Sequence, residues 1–116
     1  MSALQGRLDE AARRGLAVEL VGPLRDDVPA PLDARWTPLR PGTDTAVMLA
    51  LIFELVRTRR HAVEFLQRCT EGWEVVVDEV TGRRDGVVKD PAWAAAISGV
   101  PAERIVDMAE RLASAR

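Results

Sequence analysis

PGTDTAVMLALIFELV, residues 41–56, is the stretch that most strongly determines the fold. It opens with a proline-glycine turn, and Thr43 or Asp44 then stands where a helix takes its capping oxygen. From residue 46 onward only Glu54 is charged, so the stretch is predicted to be a helix that is buried on several sides. A chain of 116 residues has little structure with which to surround such a helix, which we take as a first indication that partner structure lies elsewhere.

Two shorter elements are predicted before this helix. Residues 4–12 place apolar side chains on one helical face, and Gly15 follows where glycine commonly ends a helix. Residues 16–21, LAVELV, form a short apolar run that predicts a buried strand closed by a Gly-Pro turn. Five prolines between residues 23 and 41 exclude a helix there, although residues 35–39 are compatible with a short extended piece.

The C-terminal half is predicted to be mainly helical. A short helix is predicted over residues 62–69, and Asp90-Pro91 has the residue types of a helix start, with a last amphipathic helix after residue 101. Residues 73–80, WEVVVDEV, stay ambiguous because three adjacent valines favour a strand and the flanking acids favour a helix. The order of elements predicts one α/β domain over residues 1–116, helix-rich in its C-terminal half.

Composition excludes several functional classes. The net charge of −2 and the interspersed charges argue against nucleic-acid binding. A single cysteine, Cys69, and a single histidine, His61, exclude an internal disulfide and a Cys/His zinc site supplied by this chain alone. We predict a semi-buried structural thiol at Cys69, and a helix cap or surface residue at His61.

No segment of the sequence has the character of a membrane helix or an export signal. The longest apolar run, residues 46–53, is far shorter than the roughly 20 residues that a membrane helix needs. The N-terminus also lacks the apolar core of a signal peptide. The chain as it stands is therefore predicted to be cytoplasmic, while a longer parent protein could be cytoplasmic or periplasmic.

Two turns are candidate nucleotide-binding segments. Residues 21–27, VGPLRDD, follow the predicted strand at the end where α/β proteins bind ligands, but they lack the glycine spacing of a dinucleotide fingerprint. Residues 42–44 precede a helix N-terminus, where free backbone N–H groups favour anions. At Asp44 two interpretations stay open. The carboxylate can cap the helix, which residue chemistry alone favours, or it can accept two hydrogen bonds from N1 and N2 of a guanine.

Several segments, in chain order, resemble the bis-molybdopterin guanine dinucleotide oxidoreductases of the dimethyl sulfoxide reductase family. Residues 35–51 resemble a phrase of the form W-x-P-I-R-P-G-T-D-x-A-L, which opens a helix in that family. Residues 21–27 resemble a strand end in its biotin sulfoxide, trimethylamine N-oxide and dimethyl sulfoxide reductase branch. Further similar phrases are RCTEGW, DGVVKDPAWAA and GVPAERI, at residues 68–73, 85–95 and 99–105. Residues 58–60 and 62–63 depart from the family pattern.

The resemblance implies a partial Rossmann-like nucleotide-binding domain. It implies a fragment of an S- or N-oxide reductase that contacts one guanosine end of the bis-molybdopterin guanine dinucleotide cofactor. Its partners would be this cofactor and the remaining part of the oxidoreductase. The residues implied near the ribose or phosphates are Gly22, Pro23, Arg25 and Asp26; those implied at the guanine are Gly42, Thr43 and Asp44, with Asp44 as the principal reader.

No catalytic or metal-binding residue follows from the resemblance. The molybdenum ligand, the second pterin site and the substrate funnel of the family lie outside the matching stretch, so we expect no redox turnover from the isolated chain. Two alternatives stay open: a stand-alone module that binds a guanine or pterin nucleotide, and a helical interaction domain that binds neither. The sequence does not determine the parent's substrate or the oligomeric state.

Overall fold

The structure is a computed structural model that describes residues 3–27 and 32–115. Its elements follow in this order: α1 Ala3–Arg13, β1 Glu19–Val21, a short 3₁₀ turn Arg25–Asp27, β2 Arg35–Thr37, α2 Asp44–Arg57, α3 Val63–Cys69, α4 Trp73–Val80, α5 Pro91–Ser98 and α6 Ala102–Ser114. This order confirms an α/β chain whose C-terminal half is helical. The first strand is shorter than predicted, and part of the proline-rich loop lies outside the described residues.

The ambiguous segment at residues 73–80 is helical. Gly72, which has a left-handed φ of 77°, precedes α4. Trp73, Val77 and Val80 face inward at helical spacing, and Val80 is fully buried, while Val75 and Val76 are exposed. Because the buried positions repeat every three to four residues, a helix buries them on one face, whereas a strand would divide them between two faces.

The core forms around α2, which packs against α4, α5 and α6. Small side chains on α2, Ala46 and Ala50, are buried and let the neighbouring helices approach closely. The core cluster consists of Leu39, Ala46, Val47, Ala50, Ala94, Val100 and Ile105. The predicted burial of α2 on several sides is confirmed in part, because one face stays open and Met48 is 59% exposed.

The two strands form a parallel pair with Leu20 opposite Trp36. The N–H of Gly22 donates to the carbonyl of Thr37 at 3.2 Å, which extends the ladder by one residue beyond β1. On the outer edge of β2, Arg104 Nη2 on α6 donates to the carbonyl of Trp36 at 3.1 Å. The outer edge of β1 is open: no hydrogen bond within residues 3–27 and 32–115 reaches its outward backbone groups.

Charged side chains connect α6 to the strands. Asp107 Oδ2 accepts from Arg111 Nε at 3.0 Å and from Arg35 Nη1 of β2 at 3.1 Å. Arg111 Nη2 also reaches Glu19 Oε2 of β1 at 2.5 Å, and Thr37 Oγ1 donates to Glu19 Oε1 at 2.7 Å. The hydrogen bond from Arg111, with the positive charges of both arginines, holds the pKa of Asp107 below its usual range.

This lowered pKa predicts a loss of stability in acid. In the folded chain Asp107 binds a proton less readily than in the unfolded chain, so its contribution is present at neutral pH and is lost as the pH falls below about 4. We expect the melting temperature of Asp107→Asn to fall less between pH 6 and pH 3 than that of the parent, as measured by circular dichroism. Asp9→Asn on α1 is the control. An equal decrease in melting temperature between pH 6 and pH 3 for the parent and Asp107→Asn would contradict a stabilising role of the ion pairs of Asp107.

Among the described residues, no helix is long and apolar enough to span a membrane.

Candidate functional site

The two predicted turns leave the sheet from the same edge. Because β1 and β2 are parallel, their carboxyl ends lie side by side, and the bond from Gly22 to Thr37 joins them there. The first turn follows β1 directly. The second, residues 42–44, begins five residues after Thr37, the last residue of the ladder, and leads into α2. The first turn therefore starts, and the segment leading to the second turn leaves, at the edge where ligands bind in parallel α/β sheets.

The first turn carries exposed charged side chains next to a buried glycine. Gly22 is buried, and its carbonyl accepts from Trp36 Nε1 at 3.0 Å. Pro23 and the 3₁₀ turn that follows are exposed. The side chains of Arg25 and Asp26 form no hydrogen bond or ion pair with any described residue. Both side chains are exposed.

The second turn has a geometry that requires glycine. Gly42 has a φ of 76°, in the left-handed region that most residues avoid. Thr43 is tied back to the preceding turn, since its N–H and its Oγ1 both donate to the carbonyl of Arg40, at 3.2 and 2.6 Å. The chain therefore turns sharply at Gly42 and enters α2 directly after Thr43.

The predicted capping of α2 by Thr43 or Asp44 is wrong. Thr43 stands at the cap position, but its side chain makes no capping hydrogen bond, and its hydroxyl donates to the carbonyl of Arg40. Asp44 is the first residue of the helix, one position past the cap. Its carboxylate is exposed and has no partner among the residues that the structure describes.

The start of α2 thus offers both hydrogen-bond donors and a hydrogen-bond acceptor. The N–H groups of Asp44 and Thr45 make no bond within the described ranges, as expected in the first turn of a helix. Such groups and the helix dipole favour an anion. The free carboxylate of Asp44 accepts hydrogen bonds, and it fits two adjacent N–H donors such as N1 and N2 of guanine.

Arg40 is the site residue that sequence reasoning missed. Its Nη1 donates to the carbonyls of Ala96 and Ile97, each at 3.0 Å, and its N–H donates to the carbonyl of Ser98 at 2.9 Å. These partners lie 56–58 positions later in the chain and terminate α5. The arginine within the R-P-G-T-D phrase was the available signal, but no spacing in the sequence connects it to α5.

The remaining candidate residues lie elsewhere. His61 is partly buried beside Trp73, with 6.1 Å between ring centroids, and Ala62, not His61, holds the cap position of α3. Cys69 is exposed, so the predicted semi-buried thiol is wrong; α3 buries none of its residues.

An apolar cavity of about 520 Å³ adjoins His61, but none of its lining residues belongs to either turn. Within residues 3–27 and 32–115, no group of histidine, cysteine and acidic side chains could hold a metal ion.

Comparison with known proteins identifies relatives that are much longer. No family model matches the chain. It is 45% identical over 113 residues to the biotin sulfoxide reductase of Cereibacter sphaeroides, a match that covers 97% of this chain and 15% of that protein. It is 34% identical over 102 residues to the trimethylamine-N-oxide reductase of Haemophilus influenzae, which covers 88% of this chain and 12% of that protein.

A solved structure shares the fold. The chain superimposes on acetylene hydratase from Pelobacter acetylenicus with a TM-score of 0.80 and 27% sequence identity. The match covers 97% of this chain and 14% of that protein. The chain therefore spans about one seventh or less of the length of these three proteins, as a nearly complete match to one segment of each.

Proposed function

This chain belongs to the dimethyl sulfoxide reductase family of molybdopterin oxidoreductases, matching one segment of its members, and we propose that it binds the guanosine end of a molybdopterin guanine dinucleotide cofactor. In a complete enzyme the molybdenum of this cofactor would supply the redox chemistry. The residues of this chain would hold the nucleotide and contribute no catalytic group. For the whole enzyme we propose reduction of an S- or N-oxide, the substrate type named for the two reductases to which this chain is similar.

The free carboxylate of Asp44 is the observation that carries the proposal. It stands exposed at the first residue of α2 and takes no part in capping. A carboxylate has two oxygens whose spacing fits guanine N1–H and N2–H, and its negative charge would strengthen both hydrogen bonds. Gly42 and Thr43 would form the wall of this guanine site, and Gly22, Pro23, Arg25 and Asp26 would lie near the ribose or phosphates.

The edges of the sheet support a Rossmann-like domain that is larger than this chain. Parallel sheets normally have several strands with helices on both faces, yet β1 pairs only with β2 among the described residues. Arg104 bonds to the carbonyl of Trp36 on the outer edge of β2, whereas the backbone groups of Glu19 and Val21 point away from β2 and have no partner among the described residues. The helix before β1, α1, buries none of its residues. We propose that the remaining part of the oxidoreductase supplies a neighbouring strand and the surface that α1 covers.

The range of named reactions also favours a role in cofactor binding. The similar proteins include two reductases of different oxides and a hydratase, and the similarity covers nearly the whole of this chain in the best matches. A segment kept across proteins named for different reactions is better suited to holding a shared cofactor than to selecting a substrate.

Titration of the ¹⁵N-labelled chain with guanosine monophosphate (GMP) tests the proposal. We expect the amide resonances of Gly42, Thr43 and Asp44 to shift, with a dissociation constant of about 1 mM or lower. Adenosine monophosphate (AMP) is the control, because N1 of adenine is an acceptor and cannot donate to the carboxylate. No shift at about 10 mM GMP, or equal shifts with GMP and AMP, would contradict guanine recognition.

A further inference from the structure

We propose that Arg40 is the positioning residue of this site, because it anchors the Gly42–Asp44 turn to the C-terminal end of α5. The inference rests on the proposed function in one respect, namely that the turn it positions receives guanine. It adds Arg40 and the end of α5 to a site that otherwise consists of the turn after β1 and the turn before α2.

The turn is held through the backbone of Arg40. The carbonyl of this residue accepts two hydrogen bonds from Thr43, one from its N–H at 3.2 Å and one from its Oγ1 at 2.6 Å. These bonds close the loop around Gly42. Because Asp44 follows Thr43 directly and its own carboxylate has no partner in the described ranges, the position of that carboxylate depends on this turn.

Arg40 is itself held by the end of α5. Its N–H and its Nη1 reach three successive carbonyls, those of Ala96, Ile97 and Ser98, at 2.9–3.0 Å. Carbonyls in the last turn of a helix lack intrahelical partners, and the negative end of the helix dipole favours a cation. Arg40 is exposed, so these bonds, rather than burial, determine where its side chain lies.

Arg40 also lies close to Gly99, the residue that follows α5. This residue follows α5 with a φ of 77°, and a Cβ placed on it would lie 3.7 Å from Arg40 Nε, at ordinary contact distance. The guanidinium group therefore lies against the backbone where α5 ends. Since Gly42 gives the loop wide backbone freedom, this anchor restricts the loop to the conformation that presents Asp44.

Two substitutions of Arg40 and one matched control separate positioning from stability. Arg40→Gln removes the two Nη1 bonds, and Arg40→Lys keeps a cation that can reach the same carbonyls. Arg60→Gln is the matched control, because it removes the bond from another exposed arginine to Ser114 Oγ on α6 and leaves the contact between Arg40 and α5 in place. Each variant is measured for melting temperature, for amide hydrogen exchange at Thr43 without ligand, and for the ratio of GMP to AMP affinity.

We expect Arg40→Gln to speed exchange at Thr43 about tenfold and to lower GMP affinity about five- to tenfold, with partial recovery in Arg40→Lys. Arg60→Gln should produce neither change. Unchanged exchange and affinity in Arg40→Gln would overturn the positioning role. If the parent chain fails to bind GMP, the proposed function fails, and the guanine role of Arg40 fails with it. Exchange at Thr43 then still decides whether Arg40 holds the turn.

Discussion

Replacing Asp44 with alanine is expected to weaken GMP binding by about 10- to 100-fold and to change the stability of the chain little. Two hydrogen bonds to guanine would be lost, and at an exposed carboxylate each contributes roughly 0.5–1.5 kcal/mol net, where 1.4 kcal/mol corresponds to a factor of ten. Stability should change by less than about 1 kcal/mol, because the carboxylate makes no capping bond and interacts only with the helix dipole. Calorimetric titration and thermal unfolding measure the two effects separately.

The control for Asp44→Ala is Glu103→Ala. Glu103 is also an exposed acid in the first turn of a helix, α6, but it lies outside the proposed site. Both variants should lose a similar, small amount of stability, and only Asp44→Ala should lose GMP affinity. The opposite pattern, a stability loss of about 1 kcal/mol at Asp44 with unchanged GMP binding, would restore the capping interpretation and remove the main support for guanine recognition.

Local sequence patterns predicted the elements well, because each is set by residues close together in the chain. The helix at residues 44–57 follows from an apolar run after a proline-glycine turn, and α5 follows from Asp90, whose carboxylate accepts from the N–H of Trp93 at 2.8 Å. The strand at residues 16–21 was overestimated. Its ladder extends only as far as β2 does, and the first bond is from Arg35 N–H to the carbonyl of Val18.

The hydrogen-bond partner of each polar side chain was less predictable, because these partners come from distant parts of the chain. Residue types alone favoured capping at Thr43 and Asp44, yet the Thr43 hydroxyl donates to the carbonyl of Arg40, and Asp44 lies one position past the cap. That carbonyl is in place because the end of α5 holds Arg40. Such an arrangement depends on how α2 and α5 pack, and periodicity in the sequence contains no information about it.

Replacing Ile105 with alanine is expected to lower the free energy of unfolding by about 2–5 kcal/mol, the largest stability effect that we predict. Ile105 lies on α6, is fully buried, and packs in the cluster that α2, α5 and the loop before α2 share. Its truncation removes three carbon atoms from a core in which Ala46, Ala50 and Ala94 are small and cannot fill the space. Urea denaturation followed by circular dichroism measures the loss.

Two further variants make the Ile105 prediction specific to packing. Ile105→Val should cost about 0.5–1.5 kcal/mol, since it removes a single methyl group from the same space. Leu112→Ala, on the same helix but at a position that is 56% exposed, removes as many atoms as Ile105→Ala and should cost less than about 1 kcal/mol. Equal losses at Ile105 and Leu112 would mean that α6 does not pack through Ile105. The hydrogen bond from Arg104 to the carbonyl of Trp36 would then lose its support as well, because Arg104 lies one residue away on the same turn of α6.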